Sequence, residues 1–266
     1  MNCFVQRLAA LPGFEELRKA SESGRLPALV TGVSDVTRAH FALALALETE
    51  KPVLLLSDDD NKAMRMCDDI NTLAGADIAA FFPARDFQMR EAEGVSRETE
   101  QVRISVLGRL LSGGVKVVTA PADAAVSATM PAPVLKRSTF RLQTGQELPQ
   151  REIVGALQRA GYVRRDFVEG ICQYSVRGGI IDFYSPQLSM PVRVELWGDT
   201  IDTISTFDIV SQRRQDTMKA VGILPAAEVL AEDCLLYTSR CPSCRGCRSS
   251  GGRHWRGGCP RNGTRP

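Results

Sequence analysis

The strongest constraint on this chain is a rhythm of short segments between residues 171 and 207. Segments at 171–176, 180–184, 192–197 and 201–207 alternate apolar and polar residues, with the turn pairs Gly178-Gly179 and Gly198-Asp199 between them. Strand side chains point to opposite faces in turn, so alternation broken by tight turns implies an antiparallel meander with one buried face. Upstream, Pro149 suits the first turn of a helix and Gly161 its C′ position, with Ile153, Val154 and Leu157 as the apolar face. Pro131 and Pro133 mark a linker. Together these features define a small α+β domain over residues 128–215.

The first 127 residues have a different texture. Short apolar runs at 27–32 (PALVTG), 52–57 (PVLLLS), 78–82 and 115–119 (VKVVT) read as buried parallel strands. Helical segments separate them. Ser34 is positioned to cap a helix reaching Glu48. Asp60 is positioned to cap another with Ala63, Met66, Cys67, Ile70 and Leu73 on one face and Gly75 as its stop. A third spans residues 96–111 with Val102, Val106, Leu110 and Leu111 inward. This β-α-β order predicts a parallel sheet covered by helices, a nucleotide-binding type of domain over residues 1–127. The fold class expected is therefore α/β with a second, smaller α+β domain.

Charge and cysteine divide the chain elsewhere. Seven of the 33 basic residues follow Asp233, where there is no acid, so residues 1–233 hold 26 basic against 31 acidic residues and carry −5. That body lacks the broad basic footprint of a nucleic-acid binder. Cys3, Cys67 and Cys172 are scattered and read as buried thiols of a reducing compartment, whereas five of the eight cysteines crowd into residues 234–266. No stretch is long and apolar enough to span a bilayer and no secretory signal is recognisable, so the expected compartment is the cytoplasm. Residues 234–266 are rich in Arg, Gly and Cys without apolar periodicity, and are expected to be disordered.

Several motifs invite chemical readings. The turn Thr31-Gly-Val-Ser-Asp-Val-Thr-Arg38 sits where a phosphate loop would lie, but it has one glycine, Gly32, and no Gly-Lys pair. Asp35 would repel a phosphate more than Thr37 or Arg38 could recover, so Gly32, Asp35 and Thr37 are read as a degenerate loop with no bound nucleotide. Asp58-Asp59-Asp60 reads as a strand end and helix cap rather than a metal cluster. His40 has no catalytic companions, and no catalytic residue is assigned. Cys241, Cys244, Cys247 and Cys259, with His254, evoke metal ligation, but the 247-to-259 gap is wrong for a compact cluster and no metal is expected. On the 192–197 strand, Val192, Val194 and Leu196 pack inward and Arg193, Glu195 and Trp197 face outward. Arg and Trp are favoured anchors of protein interfaces. The alternative is that Arg193 pairs with Glu195 or stacks on Trp197 and merely covers the sheet.

The stretch Tyr174-Ser-Val-Arg-Gly-Gly-Ile-Ile-Asp-Phe-Tyr-Ser-Pro186 continues into Pro191-Val-Arg-Val-Glu-Leu-Trp-Gly-Asp-Thr-Ile-Asp202 and on to Ser211-Gln212-Arg213. It resembles a signature shared by the excision-nuclease subunit UvrB and the transcription-repair-coupling factors. The segments Phe207-Asp-Ile-Val-Ser-Gln-Arg213 and Ile223-Leu-Pro-Ala-Ala-Glu-Val-Leu230 fit the coupling factors better. The resemblance covers residues 10–233. It implies a UvrB-like first domain of degenerate P-loop type and a UvrA-docking domain at 128–215. Residues 216–233 are then a segment returning toward the first domain. UvrA would be bound through Arg177, Arg193 and Trp197. ATP, Mg, RNA polymerase and DNA would be handled by motor and other domains that the family carries and this chain lacks, leaving this chain without an enzymatic activity. The rival readings are a UvrB-like ATPase, opposed by the missing Gly-Lys pair and the short passage from 78 to 95, and a metal-dependent nucleic-acid binder built on the tail. Cys234-Leu-Leu-Tyr-Thr-Ser-Arg-Cys241 looks like translated adapter sequence, so residues 234–266 are expected to be non-native.

Overall fold

In a computed structural model of the chain, the described residues are 7–8, 10–24, 27–49, 51–85 and 97–229. The element order runs through α1 (Pro12–Glu22) and α2 (Asp35–Glu48). There follow β1 (Val53–Ser57), α3 (Asp60–Ala74), β2 (Ala79–Phe81), α4 (Arg97–Leu111) and β3 (Val117–Pro121), then two short helices, α5 (Ala122–Val126) and α6 (Ala132–Ser138). The three strands form a parallel sheet in the order β1-β3-β2. Its core is built from Leu43, Ala46, Ile70, Ala79 and Val117, with α2 and α3 packed on it.

Helix ends follow local chemistry. Ser34 Oγ accepts a hydrogen bond from the Thr37 amide at 3.3 Å, as its position before the helix suggests. The cap of α3 is Asp59 rather than Asp60: its Oδ1 accepts the Lys62 amide at 2.7 Å. Gly75 ends α3 in the left-handed region at φ +64°.

Four expectations for this half need correction. Residues 27–32 form no strand and are largely exposed. A six-residue apolar run carries no periodicity that guarantees a pairing partner. β1 is therefore an edge, and Leu54, expected to be buried, is 56% exposed. On α4, Val102 and Leu111 face solvent while Arg103, Ile104, Val106 and Gly108 are buried. That face is selected by tertiary contacts with residues 224–228, to which apolar counting is blind. Pro131 and Pro133 begin α6 instead of marking a linker, because proline is tolerated in a first turn where its missing N–H costs nothing. The tail, residues 234–266, lies outside the described residues, as do Cys3 and Ser96.

The second half holds β4 (Phe140–Gln143), α7 (Gln150–Arg159), β5 (Val163–Arg164), β6 (Gln173–Arg177), β7 (Ile180–Phe183), β8 (Val192–Trp197), β9 (Thr200–Phe207), β10 (Arg214–Met218) and β11 (Ala220–Ile223). Six strands form one sheet, β10-β9-β8-β7-β6-β5, antiparallel from β10 to β6, with β5 parallel to β6. The meander read from the alternation is present, with Gly178 and Gly198 at positive φ in its turns. One face packs Tyr174, Ile181, Phe183, Val192, Val194 and Ile204 against Ile153 and Leu157 of α7. The described residues thus form a mixed α/β fold with a three-stranded parallel sheet, a six-stranded, mainly antiparallel sheet and the two-stranded pair β11-β4.

Residues 220–228 tie the halves together. β11 pairs with β4. The Leu224 carbonyl then accepts the Tyr162 hydroxyl at 2.8 Å, and the Ala226 amide donates to the Ala160 carbonyl at 2.7 Å. Four residues past Leu224, Glu228 meets Arg103 of α4 at 2.6 Å with neither side chain exposed. Arg85 also pairs with Glu228, and the Glu228 amide donates to Glu100 at 2.6 Å. Arg103 further donates to the Pro83 carbonyl at 2.7 Å and lies 4.0 Å over the Phe82 ring.

Two outcomes follow from this architecture. Removing one partner of a buried ion pair strands the other, so Glu228→Ala is expected to lower stability by about 3 kcal/mol, seen as a lower urea midpoint with an unchanged slope. Burial pushes the Cys67 thiol up to about 11 and the Cys172 thiol up to about 12. Both should stay protonated at pH 8 and react with a thiol reagent only on unfolding; prompt labelling of either in the native protein would contradict the packing described.

Candidate partner-docking face

The face of the six-stranded sheet opposite α7 carries polar chemistry. Register places Ser175, Asp182, Arg193 and Ser205 side by side across β6, β7, β8 and β9, and Arg177, Ile180, Glu195 and Thr203 in the row beside them. Paired residues on neighbouring strands point to the same side. Arg177 and Arg193 therefore share one face, as their sequence positions imply, and Asp182 stands between them.

Asp182 is 1% exposed. Its Oδ1 accepts Arg193 Nε at 2.7 Å, and its Oδ2 accepts Arg193 Nη2 at 2.9 Å and Arg177 Nη2 at 2.5 Å. Arg193 also donates to the Gln212 carbonyl at 3.2 Å and to Gln212 Oε1 at 3.1 Å, and lies 4.5 Å over the Phe207 ring. Asp182 raises the pKa of Arg193 further above its ordinary value, against the opposing effect of burial. Arg193 side-chain exposure is 11%, against 37% for Arg177, which stacks 5.0 Å over Phe167.

The remaining members are set by the turn at Gly178-Gly179. The Leu196 amide donates to the Gly179 carbonyl at 2.8 Å, so Trp197 emerges directly beside the turn that follows Arg177. Gly179 is required there, since a Cβ would come 2.9 Å from the Leu196 carbonyl oxygen. Trp197 is 84% exposed, although Val192 and Val194 of the same strand are fully buried. The inward alternation of Val192, Val194 and Leu196 is as expected. The alternative in which Arg193 pairs with Glu195 or stacks on Trp197 is not found: Arg193 pairs with Asp182 and stacks on Phe207, and its side chain is 11% exposed rather than outward, while Glu195 pairs with Arg214.

Asp182 and Gln212 are the members that sequence reasoning missed. Asp182 looked like one more polar residue of an alternating strand. A signal did exist, because an acid facing an arginine on the adjacent strand becomes visible once the turn fixes the register. Gln212 is harder to find, since its φ of +58° comes from a loop in which Asp208 accepts both the amide and the hydroxyl of Ser211 at 2.7 Å. Those bonds hold the Asp208 carboxyl below the usual range.

The turn that was read as a degenerate phosphate loop has Gly32 at φ +75° and Asp35 at the N-terminus of α2, paired with Lys62 at 3.3 Å and Arg38 at 3.2 Å. The Thr37 hydroxyl bonds Ser34 at 2.8 Å. Asp58 pairs with Lys62 at 3.1 Å, and among the described residues no three metal-ligating side chains cluster. His40 bonds the Val36 carbonyl at 2.9 Å. Among the described residues no helix is long and apolar enough to cross a membrane.

The exposure of Trp197 can be checked directly. With Trp255 replaced by phenylalanine, the remaining indole should be quenched by iodide nearly as well as free tryptophan; a shielded, blue-shifted emission would refute its placement.

Residues 140–228, which contain this entire face, match the family described as the UvrB interaction domain. The chain is 31% identical over 217 residues to the transcription-repair-coupling factor of Bacillus subtilis (strain 168), covering 82% of this chain and 18% of that protein. It is 28% identical to the factor of Staphylococcus haemolyticus (strain JCSC1435) over 205 residues, 77% of this chain and 18% of the relative. The chain thus spans less than a fifth of the length of the curated relatives it matches. Over the matched residues it is a homologue of the transcription-repair-coupling factors, with a UvrB interaction domain at 140–228.

Proposed function

We propose that this chain docks UvrA through the outer face of its antiparallel sheet and so serves transcription-coupled nucleotide-excision repair. The observation that carries this reading is a coincidence of location: the UvrB interaction family matches residues 140–228, and within them lie two arginines and an indole exposed to 84%. An exposed Trp beside Arg is the side-chain pairing that concentrates binding energy in protein interfaces. Trp197 would fill an apolar recess of UvrA and Arg177 would meet an acidic group, while Arg193, its side chain only 11% exposed, would back that face from within the sheet. RNA polymerase and DNA would be engaged by regions of such proteins outside the matched residues, in the cytoplasm.

The parallel-sheet domain is proposed to be of nucleotide-binding type without a working site. Support comes from the turn at 31–38, where Asp35 is held by Lys62 and Arg38 at the helix end that a phosphate would need. Docking so described requires neither a bound cofactor nor catalysis by this chain.

Calorimetric titration of the chain against UvrA tests the reading. Trp197→Ala should weaken binding by about 2 kcal/mol, roughly thirtyfold. Arg177→Ala should cost about tenfold, chiefly through contacts it offers to solvent. Folded variants that bind like wild type would place docking elsewhere. A parallel titration with ATP should show no saturable heat at micromolar concentration.

A further inference from the structure

We infer that Asp182 is the positioning residue of this docking face: it holds the Arg177 guanidinium, with Arg193 as its frame, for an acidic partner group without meeting the partner itself. The inference rests on the docking reading above. Asp182 is 1% exposed, too deep to contact another protein, yet three N–H groups from the two arginines converge on its two oxygens.

The two arginines are not equivalent. Arg193 spends four of its five N–H donors on Asp182 and Gln212 and is pinned further by the Phe207 ring. It cannot turn outward without abandoning a buried carboxylate, so it acts as frame. Arg177 gives Asp182 one bond and keeps over a third of its side chain in solvent. It is the arginine with donors to offer. One carboxylate against two guanidiniums leaves one net positive charge at this point of the face. That fits a single partner carboxylate at Arg177, next to whatever apolar recess receives Trp197. Gln212 supports the frame from behind. Its positive φ brings both its carbonyl and its side-chain oxygen onto Arg193, a conformation uncommon outside glycine and asparagine. An arginine held in place before contact loses less side-chain freedom on binding than a free one.

Positioning and simple charge counting predict opposite signs for Asp182→Asn. Counting charges, the variant gains a positive charge and should bind an acidic surface faster and more tightly. Under positioning, the arginines lose their anchor and the complex dissociates faster. The experiment is surface-immobilised UvrA with the full chain in solution, reading association and dissociation separately. Wild type, Trp197→Ala, Asp182→Asn, Arg177→Ala and the Asp182→Asn/Arg177→Ala double variant are compared.

Expected is a dissociation constant about tenfold weaker for Asp182→Asn, carried by dissociation. The double variant should lose little beyond Arg177→Ala alone. Unchanged or tighter binding by Asp182→Asn, or losses that multiply independently, overturns the inference while leaving docking intact. Absence of wild-type binding, or full binding by Trp197→Ala, removes the docking reading and the inference with it. Circular dichroism accompanies each variant. Should Asp182→Asn fail to fold, Gln212→Ala decides, because it loosens Arg193 and leaves the carboxylate in place: dissociation about threefold faster supports positioning, and an unchanged rate overturns it.

Discussion

Glu228 and Arg103 form the contact on which the organisation of this protein depends. They lie 125 residues apart in sequence and meet with no exposed side-chain surface. Desolvating two charges is expensive, and their attraction offsets that cost only where geometry is good and further donors and acceptors are satisfied. Here Arg85 joins on one side, the Pro83 carbonyl and Phe82 ring on another, and Glu100 takes the Glu228 amide, while Arg103 Nη2 is buried without a hydrogen-bond partner among the described residues. The pair accompanies the pairing of β11 with β4, since residues 224–228 run on from that strand toward α4. Gly108 belongs to the same arrangement: a Cβ there would come within 2.4 Å of the Leu224 side chain, so the absence of one lets α4 lie close to the returning segment.

A second ionic cluster has a different purpose. Asp182, Arg177 and Arg193 sit on the sheet face opposite α7, at the rows where neighbouring strands bring them together. The Arg103 cluster joins distant parts of the chain, whereas this one joins adjacent strands. The sheet core of Ile181, Phe183, Val192 and Val194 lies beneath and gives the cluster a rigid base. Under the proposed docking, rigidity in that base would let a shallow polar face present a defined pattern to a partner, with the exposed indole at its edge.

Much of this was legible in the residues. The antiparallel meander followed from alternation and two glycine turns, because a two-residue period and a tight turn leave little choice of pairing. The caps at Ser34 and Gly75 followed from chemistry within four residues of a helix end. The inward set Val192, Val194 and Leu196 followed from alternation alone. The family was legible too, in the run from Tyr174 to Arg213. Failures fell where local pattern had no jurisdiction. The 27–32 run looked like a strand, but a parallel strand exists only through a neighbour that may be distant in sequence. Val102 and Leu111 looked inward because apolar residues are counted as core, while the face was taken by a buried arginine.

The sequence by itself determined the meander and the row of Arg193, Glu195 and Trp197 facing away from the core, since each follows from a two-residue period and tight turns. Tertiary structure alone decided which arginine stays exposed, which is buried, and which side of α4 faces inward. Those outcomes turn on Asp182, Gln212 and Glu228, whose roles come from contacts across strands and across the chain. A charged residue shows its meaning only when the fold supplies its counterion, because the cost of burying charge is settled by what lies opposite it in space.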